Sequence, residues 1–270
     1  MAKVFIIDAA KCNGCYNCQL ACKDENASHD WAPYSAPQPE TGHFWLKLHE
    51  HLEGSTPKLR MHYTAELCNH CRNAACIDVC PTGAAYRRGD GLVILDPEKC
   101  GGCKKCMEAC PYNAIYFNDA LSVAQKCTGC AHLLDSGYEK PRCVEACPHE
   151  AIRFGEEAEL ADEIPGADVR KPETGALPRV YYRNLPGKFI AGTVYDPAAK
   201  EIIEGAKVRA VSGGKILHTE TDGFGDFWFN DLRVGKWDVT IEAKGFKLRA
   251  FEGLRTDASV NLGDVALERA

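Results

Sequence analysis

The sequence has 270 residues, 16 of them cysteine, a formal charge of −6, and no apolar run near the ~18 residues of a membrane span. This excludes direct membrane insertion by a helix, and 32 basic against 38 acidic residues give no nucleic-acid surface. Cysteine at about 6% of a chain this long, with only four apolar residues (Val4–Ile7) between Lys3 and Asp8, describes neither a secreted disulfide scaffold nor a secretory signal and calls for metal.

In chain order, the apolar start leads into a first cysteine group, Cys12, Cys15, Cys18 and Cys22, spaced C-x2-C-x2-C-x3-C. Residues 26–67 follow as a long insertion holding Trp31, Pro33, Tyr34, Pro37, Pro39, His43, Phe44 and Trp45. An insertion of that length with those aromatics is expected to be a docking surface for another subunit, the alternative being that the aromatics cover the chain's own cluster domain. The second group is Cys68, Cys71, Cys76 and Cys80. The third, Cys100, Cys103, Cys106 and Cys110, repeats the spacing of the first. The fourth is Cys127, Cys130, Cys143 and Cys147, with twelve residues inserted between its middle pair. Proline follows the last cysteine of three groups, as Pro81, Pro111 and Pro148.

Val93–Lys99 before the third group resembles Val4–Lys11 before the first, so strand, cysteine loop, short helix and strand recur as an internal repeat. Residues 156–187, acidic and then rich in proline and glycine, read as a linker. From Lys188 the pattern alternates in short strands broken by turns such as Gly213-Gly214, about seven strands in all. The expected organisation is an iron–sulfur domain over 1–155, the linker 156–187, and a β domain over 188–270. The fold class is α+β: two ferredoxin-like modules followed by a small all-β Greek-key sandwich.

Spacing selects the metal. Structural zinc pairs two C-x2-C knuckles across a longer interval and has no use for a third cysteine three residues on. C-x2-C-x2-C-x3-C-P is the bacterial ferredoxin run, in which three cysteines wrap one cubane and the fourth ligates its neighbour. Four such groups predict four 4Fe–4S clusters on all sixteen cysteines. The trailing proline is expected to open a helix there, since a first-turn proline loses no intrahelical hydrogen bond. Small cores of this kind depend on their metal. A zinc-binding interaction module and a free polyferredoxin are the alternatives.

Four groups in this order resemble the iron–sulfur electron-transfer subunits of the DMSO reductase family of molybdopterin enzymes, over residues 3–155. The resemblance implies that the first and fourth groups pair, as do the second and third. Cys12, Cys15 and Cys18 would then share a cluster with Cys147, and Cys127, Cys130 and Cys143 would share one with Cys22. Cys68, Cys71 and Cys76 would join Cys110, and Cys100, Cys103 and Cys106 would join Cys80. It also implies a large molybdopterin-bearing catalytic subunit, Mo or W, as partner, with a soluble or membrane-bound electron carrier as the further one. No catalytic residue is assigned to this chain.

Residues 123–135 and 178–185 are similar to the small subunits of the pyrogallol–phloroglucinol transhydroxylases and resorcinol hydroxylases, which also end in a β domain. Transhydroxylases lack the third group's cysteines for one cluster. Here Cys100, Cys103, Cys106 and Cys110 are all present, which favours net redox chemistry in a hydroxylase or reductive dehydroxylase. Another reductase of the wider family, acting on arsenate, polysulfide or nitrate, is the alternative. Gly205–Val208 and Thr221–Gly223 resemble carboxypeptidase regulatory-like (transthyretin-like) domains, which implies a binding or structural module. The expected compartment is the cytoplasm, or the periplasm by co-export with a signal-bearing partner.

Other candidates are secondary. His70, beside Cys68, is expected to support a ligand or face solvent. Lys11, Lys99, Lys104, Lys105 and Lys126 flank the cysteine loops, where a cation would raise a cluster's potential. Their alternative role is surface solubility. No P-loop, dinucleotide fingerprint or paired catalytic carboxylates are present.

Overall fold

The computed structural model describes residues 2–270. The chain divides into two compact units, Met1–Glu50 with His62–Leu185, and His51–Met61 with Pro186–Ala270.

In the first unit the buried strand Lys3–Asp8 pairs antiparallel with Ile152–Glu156 on one side and parallel with Val180–Arg183 on the other. Two short hairpins belong to it as well, Ala85–Arg87 with Val93–Leu95 and Tyr116–Asn118 with Val123–Gln125. Beyond Asn17–Asn26, its α-helices are single turns: Ala75–Asp78, Lys105–Ala109, Ala131–Asp135 and Arg142–Glu145. Helices that short are not stable alone, so packing against the cysteine loops holds them. Phe5, Ile7, Leu46, Leu67, Leu92, Ile152 and Val180 form one core with Cys18, Cys22, Cys68, Cys127 and Cys143. Ala85, Leu95, Ile115 and Ala124 form another around Cys106. Sulfur is built into both cores.

Three sequence expectations need correction here. The single turns Ala75–Asp78, Lys105–Ala109 and Arg142–Glu145 end before Cys80, Cys110 and Cys147, and Pro81, Pro111 and Pro148 follow. The proline stops a helix instead of opening one, because its ring disfavours helical backbone in the preceding residue. Residues 156–185 are no free linker: Val180–Arg183 is an edge strand of the sheet, and the Tyr182 hydroxyl donates to the Ala65 carbonyl at 3.0 Å.

The insertion is also not a free docking loop. Trp45 is buried, and Trp31 stacks on His132 with ring centroids 4.3 Å apart. The Gln125 side chain donates to the Ala36 and Pro37 carbonyls at 2.8 and 2.9 Å. These aromatics cover the chain's own first unit. Residues 47–66 form a hairpin, Lys47–Ser55 with Lys58–Glu66, whose tip belongs to the second unit.

That second unit contains two four-stranded sheets. One centres on Lys188–Asp196, which pairs with Glu201–Ile202, Asp226–Leu232 and, in parallel, Val260–Ala266. The other runs Lys215–Glu220, Lys207–Ser212, Lys236–Glu242, Arg249–Arg255, all antiparallel. Trp237, Val239 and Ile241 point inward while Lys236, Asp238 and Glu242 point out, the period-two pattern of a half-buried strand. Ile190, Val194, Val208, Phe227 and Phe229 join them in a core without cysteine. The hairpin tip fits this unit closely. Gly54, at φ +86°, leaves room for Phe189, whose ring a Cβ there would approach to 2.4 Å. Lys58 is buried with its ammonium on the Asp226 carboxylate.

Candidate metal centres

The four cysteine loops share one backbone device. The residue before the second cysteine of each is left-handed: Gly14 (φ 78°), His70 (φ 41°), Gly102 (φ 67°) and Gly129 (φ 66°). That step curls the chain so that its N–H meets the first thiol of the group. The His70 N–H donates to Cys68 Sγ at 3.5 Å and the Gly129 N–H to Cys127 Sγ at 3.4 Å. Glycine supplies this conformation at no steric cost, and three of the four loops use it. Further amides reach other thiols: Ala85 to Cys80 and Ala124 to Cys100 at 3.4 Å, and Ala151 to Cys147 at 3.3 Å. The sequence reading missed these donors. For Ala85 and Ala151 the faint signal is an alanine four or five residues beyond a last cysteine; Ala124 has none.

The thiols gather in four sets, each drawn from two sequence groups. Burial first, then the neighbouring Cys12, Cys147 and Cys15, push the Cys18 thiol up to about 12. Cys22 and Cys143 are driven well above the usual range, again by burial first and then by Cys127 and Cys130 among their neighbours. Burial with Cys68, Cys76 and Cys110 raises Cys71 to about 12. Burial with Cys100, Cys103 and Cys80 raises Cys106 to about 11. The sets are thus 12/15/18/147, 22/127/130/143, 68/71/76/110 and 80/100/103/106.

Single-turn spacing explains the exchange. Cys18 and Cys22 lie four apart on one helix, about 6 Å along its axis, and face different sets. Cys76 and Cys80, Cys106 and Cys110, and Cys143 and Cys147 repeat the spacing, each pair running from a single turn to just beyond its end. Neighbouring sets also touch: Cys18 acts on Cys22, Cys68 on Cys127, and Cys106 on Cys76. The sets therefore form a row, with exposed Cys15 in one end set and exposed Cys103 in the other.

The donors suit a polynuclear core better than one ion. Cavities lie among Cys12, Cys15, Cys18 and Cys147 and among Cys68, Cys71, Cys76 and Cys110. Among the described residues no three His, Cys, Asp or Glu side chains converge closely enough for a single metal ion. Thiols pushed this high ionise at neutral pH only against strong positive charge, which a cubane core supplies.

The remaining sequence candidates separate by burial. Lys11, Lys99, Lys104 and Lys105 are exposed, whereas Lys126 is buried. His70 faces the interior, not solvent. Its Nδ1 accepts the Val93 N–H at 3.0 Å, and burial, with Lys126 and Arg179 nearby, holds the imidazole well below its usual pKa. Among the described residues no helix is long and apolar enough to cross a membrane.

Comparison with known proteins supports 4Fe–4S binding by the cysteine loops. Residues 11–84 and 59–157 match models of the 4Fe–4S dicluster domain, and residues 190–268 match the carboxypeptidase regulatory-like domain. The chain is 39% identical to the pyrogallol hydroxytransferase small subunit of Pelobacter acidigallici, over 97% of this chain and 98% of that one. It is 34% identical to a tetrathionate reductase subunit of Salmonella typhimurium, over 68% of this chain and 73% of that one. It is 44% identical to the arsenate respiratory reductase iron–sulfur subunit of a Shewanella strain, over 43% of this chain and 44% of that one.

Proposed function

The chain belongs to the iron–sulfur electron-transfer subunits of the molybdopterin oxidoreductases of the DMSO reductase family, and from that premise we propose that it carries four 4Fe–4S clusters as a continuous path serving a large molybdopterin-bearing catalytic subunit. The observation that carries this reading is the row of four complete thiol sets, each adjoining the next. Clusters bound there supply one-electron oxidation and reduction.

The chain's own residues do the rest. All sixteen cysteines hold iron. The helix Asn17–Asn26 and the single turns Ala75–Asp78, Lys105–Ala109 and Arg142–Glu145 fix the intervals, because each links two neighbouring sets. The amides of His70, Ala85, Ala124, Gly129 and Ala151 stabilise thiolate charge and so raise potentials. Leu92, Ile152 and Val180 keep water from the inner sets.

The catalytic step belongs to the partner, and we assign it a phenolic substrate. The likeness to the pyrogallol hydroxytransferase small subunit runs through the β domain, whereas the reductase subunits match a smaller share of the chain. Because all four sets are complete, the path supports net electron exchange in a hydroxylase or dehydroxylase. The cytoplasm is its proposed compartment.

The test is to purify the complex and mix its oxidised form with di- and trihydroxybenzenes, and its pre-reduced form with the same phenols, arsenate and tetrathionate in turn. A hydroxylase is expected to reduce the clusters with a phenol alone. Reoxidation of pre-reduced clusters by arsenate or tetrathionate, with phenols inert, would assign another reductase. Cys106→Ser is expected to lose or convert one cluster and slow transfer to an outside acceptor while leaving subunit association intact. An unchanged rate after that loss contradicts the continuous path.

A further inference from the structure

Lys126 places a charge where a lysine is rarely tolerated. Its side chain is only 2% exposed and ranks among the largest fully buried ones. The ammonium donates to the carbonyl oxygens of Val93 and, at 2.9 Å, of Cys127. Among the described residues no carboxylate pairs with it. An ammonium buried without countercharge is strongly destabilising, and two carbonyl dipoles offset only part of that cost.

The other groups around it supply no negative charge. His70 accepts the Val93 N–H through Nδ1, so that nitrogen carries no proton and the ring offers no negative charge. Arg179 and Arg87, which act on the same imidazole, are themselves cations. Only the thiols remain. Lys126 lines the cavity bounded by Cys68, Cys71, Cys76 and Cys110, and its chain neighbour Cys127 belongs to the adjoining set.

We propose that Lys126 is the internal counter-ion of the cluster held by Cys68, Cys71, Cys76 and Cys110, raising that cluster's reduction potential above the value it would have among neutral neighbours; this rests on the cluster reading above. Reduction adds one negative charge to the core, and a fixed cation in a medium of low dielectric favours the more negative state. Because the ammonium is buried, salt does not screen it as it screens Lys99, Lys104 and Lys105. Lys126 is a positioning residue: it acts on the electron through the cluster and touches no substrate.

The experiment is a potentiometric titration followed by electron paramagnetic resonance on the complex purified with its partner, for the wild type, Lys126→Met and Lys126→Arg, with iron counted in each. Lys126→Met is expected to keep its iron and shift one signal to lower potential, leaving the others in place. Lys126→Arg keeps the charge and is expected to leave that signal closer to wild type than Lys126→Met does. If Lys126→Met instead loses one cluster's iron, retention by Lys126→Arg supports the proposal, and equal loss in both variants overturns it as mere packing. Full iron with every potential unmoved in Lys126→Met also overturns it. A wild-type protein without cubane iron defeats the cluster reading itself, a result distinct from clusters that ignore Lys126.

Discussion

Gly14, His70, Gly102 and Gly129 hold the same step of four loops, and three of the four are glycine for a reason of backbone energy. A side chain at left-handed φ costs ~1–2 kcal/mol, and at Gly14 a Cβ would also stand 2.5 Å from the Tyr63 ring. Gly14→Ala is therefore expected to destabilise the first loop by at least ~1–2 kcal/mol and to speed iron loss to a chelator, followed as bleaching of visible absorption. Bleaching at the wild-type rate would contradict the role given to this turn. His70 bears the same backbone cost and offsets it by accepting the Val93 N–H in the interior. Residue type misleads at such positions. Histidine and lysine usually mark surface, and nothing in the sequence shows that strand Val93–Leu95 closes over His70 and Lys126.

Elements divide into those set by local spacing and those set by distant pairing. The cysteine runs, the repeat of strand and loop, and the alternating strands of the β unit are local patterns and were legible. The membership of each thiol set was not contained in spacing alone; it came from the family resemblance, since only packing brings Cys147 to Cys12 or Cys110 to Cys71. The parallel pairing of Val180–Arg183 with Lys3–Asp8 spans most of the first unit, and a four-residue strand amid prolines leaves no periodic trace. The nine-residue strands Lys47–Ser55 and Lys58–Glu66 were hidden within an aromatic-rich insertion for a similar reason: their tip is fixed by Phe189 and Asp226, far along the chain. A chain cut after residue 155 loses the strand that covers one edge of Lys3–Asp8, and loses the buried Tyr182. It is expected to take up less iron on reconstitution, and to aggregate more, than one cut after residue 185. Equal iron uptake by the two would restore the linker reading of 156–187.

For the whole molecule, the two units draw stability from different sources. The first packs cysteine sulfur into two of its cores, so without iron those cores keep cavities ringed by thiols. The second closes over Val208, Phe227, Trp237 and Ile241, a core without cysteine. Chelation under reducing conditions is expected to strip hydrogen-exchange protection from Lys3–Asp8 and Ile152–Glu156 while Lys236–Glu242 stays protected. Persistent protection of the first unit without iron would contradict metal-dependent folding.

Electron passage along the whole row depends on every set being filled, including 80/100/103/106, on which the case for net redox chemistry rests. The most direct measurement is iron, acid-labile sulfide and zinc per chain in the anaerobically purified complex, corrected for any cluster in its partner. Four cubanes predict about sixteen iron and about sixteen sulfide per chain, with no stoichiometric zinc. About twelve iron would mean a gap in the row, and about four zinc without sulfide would contradict the account outright.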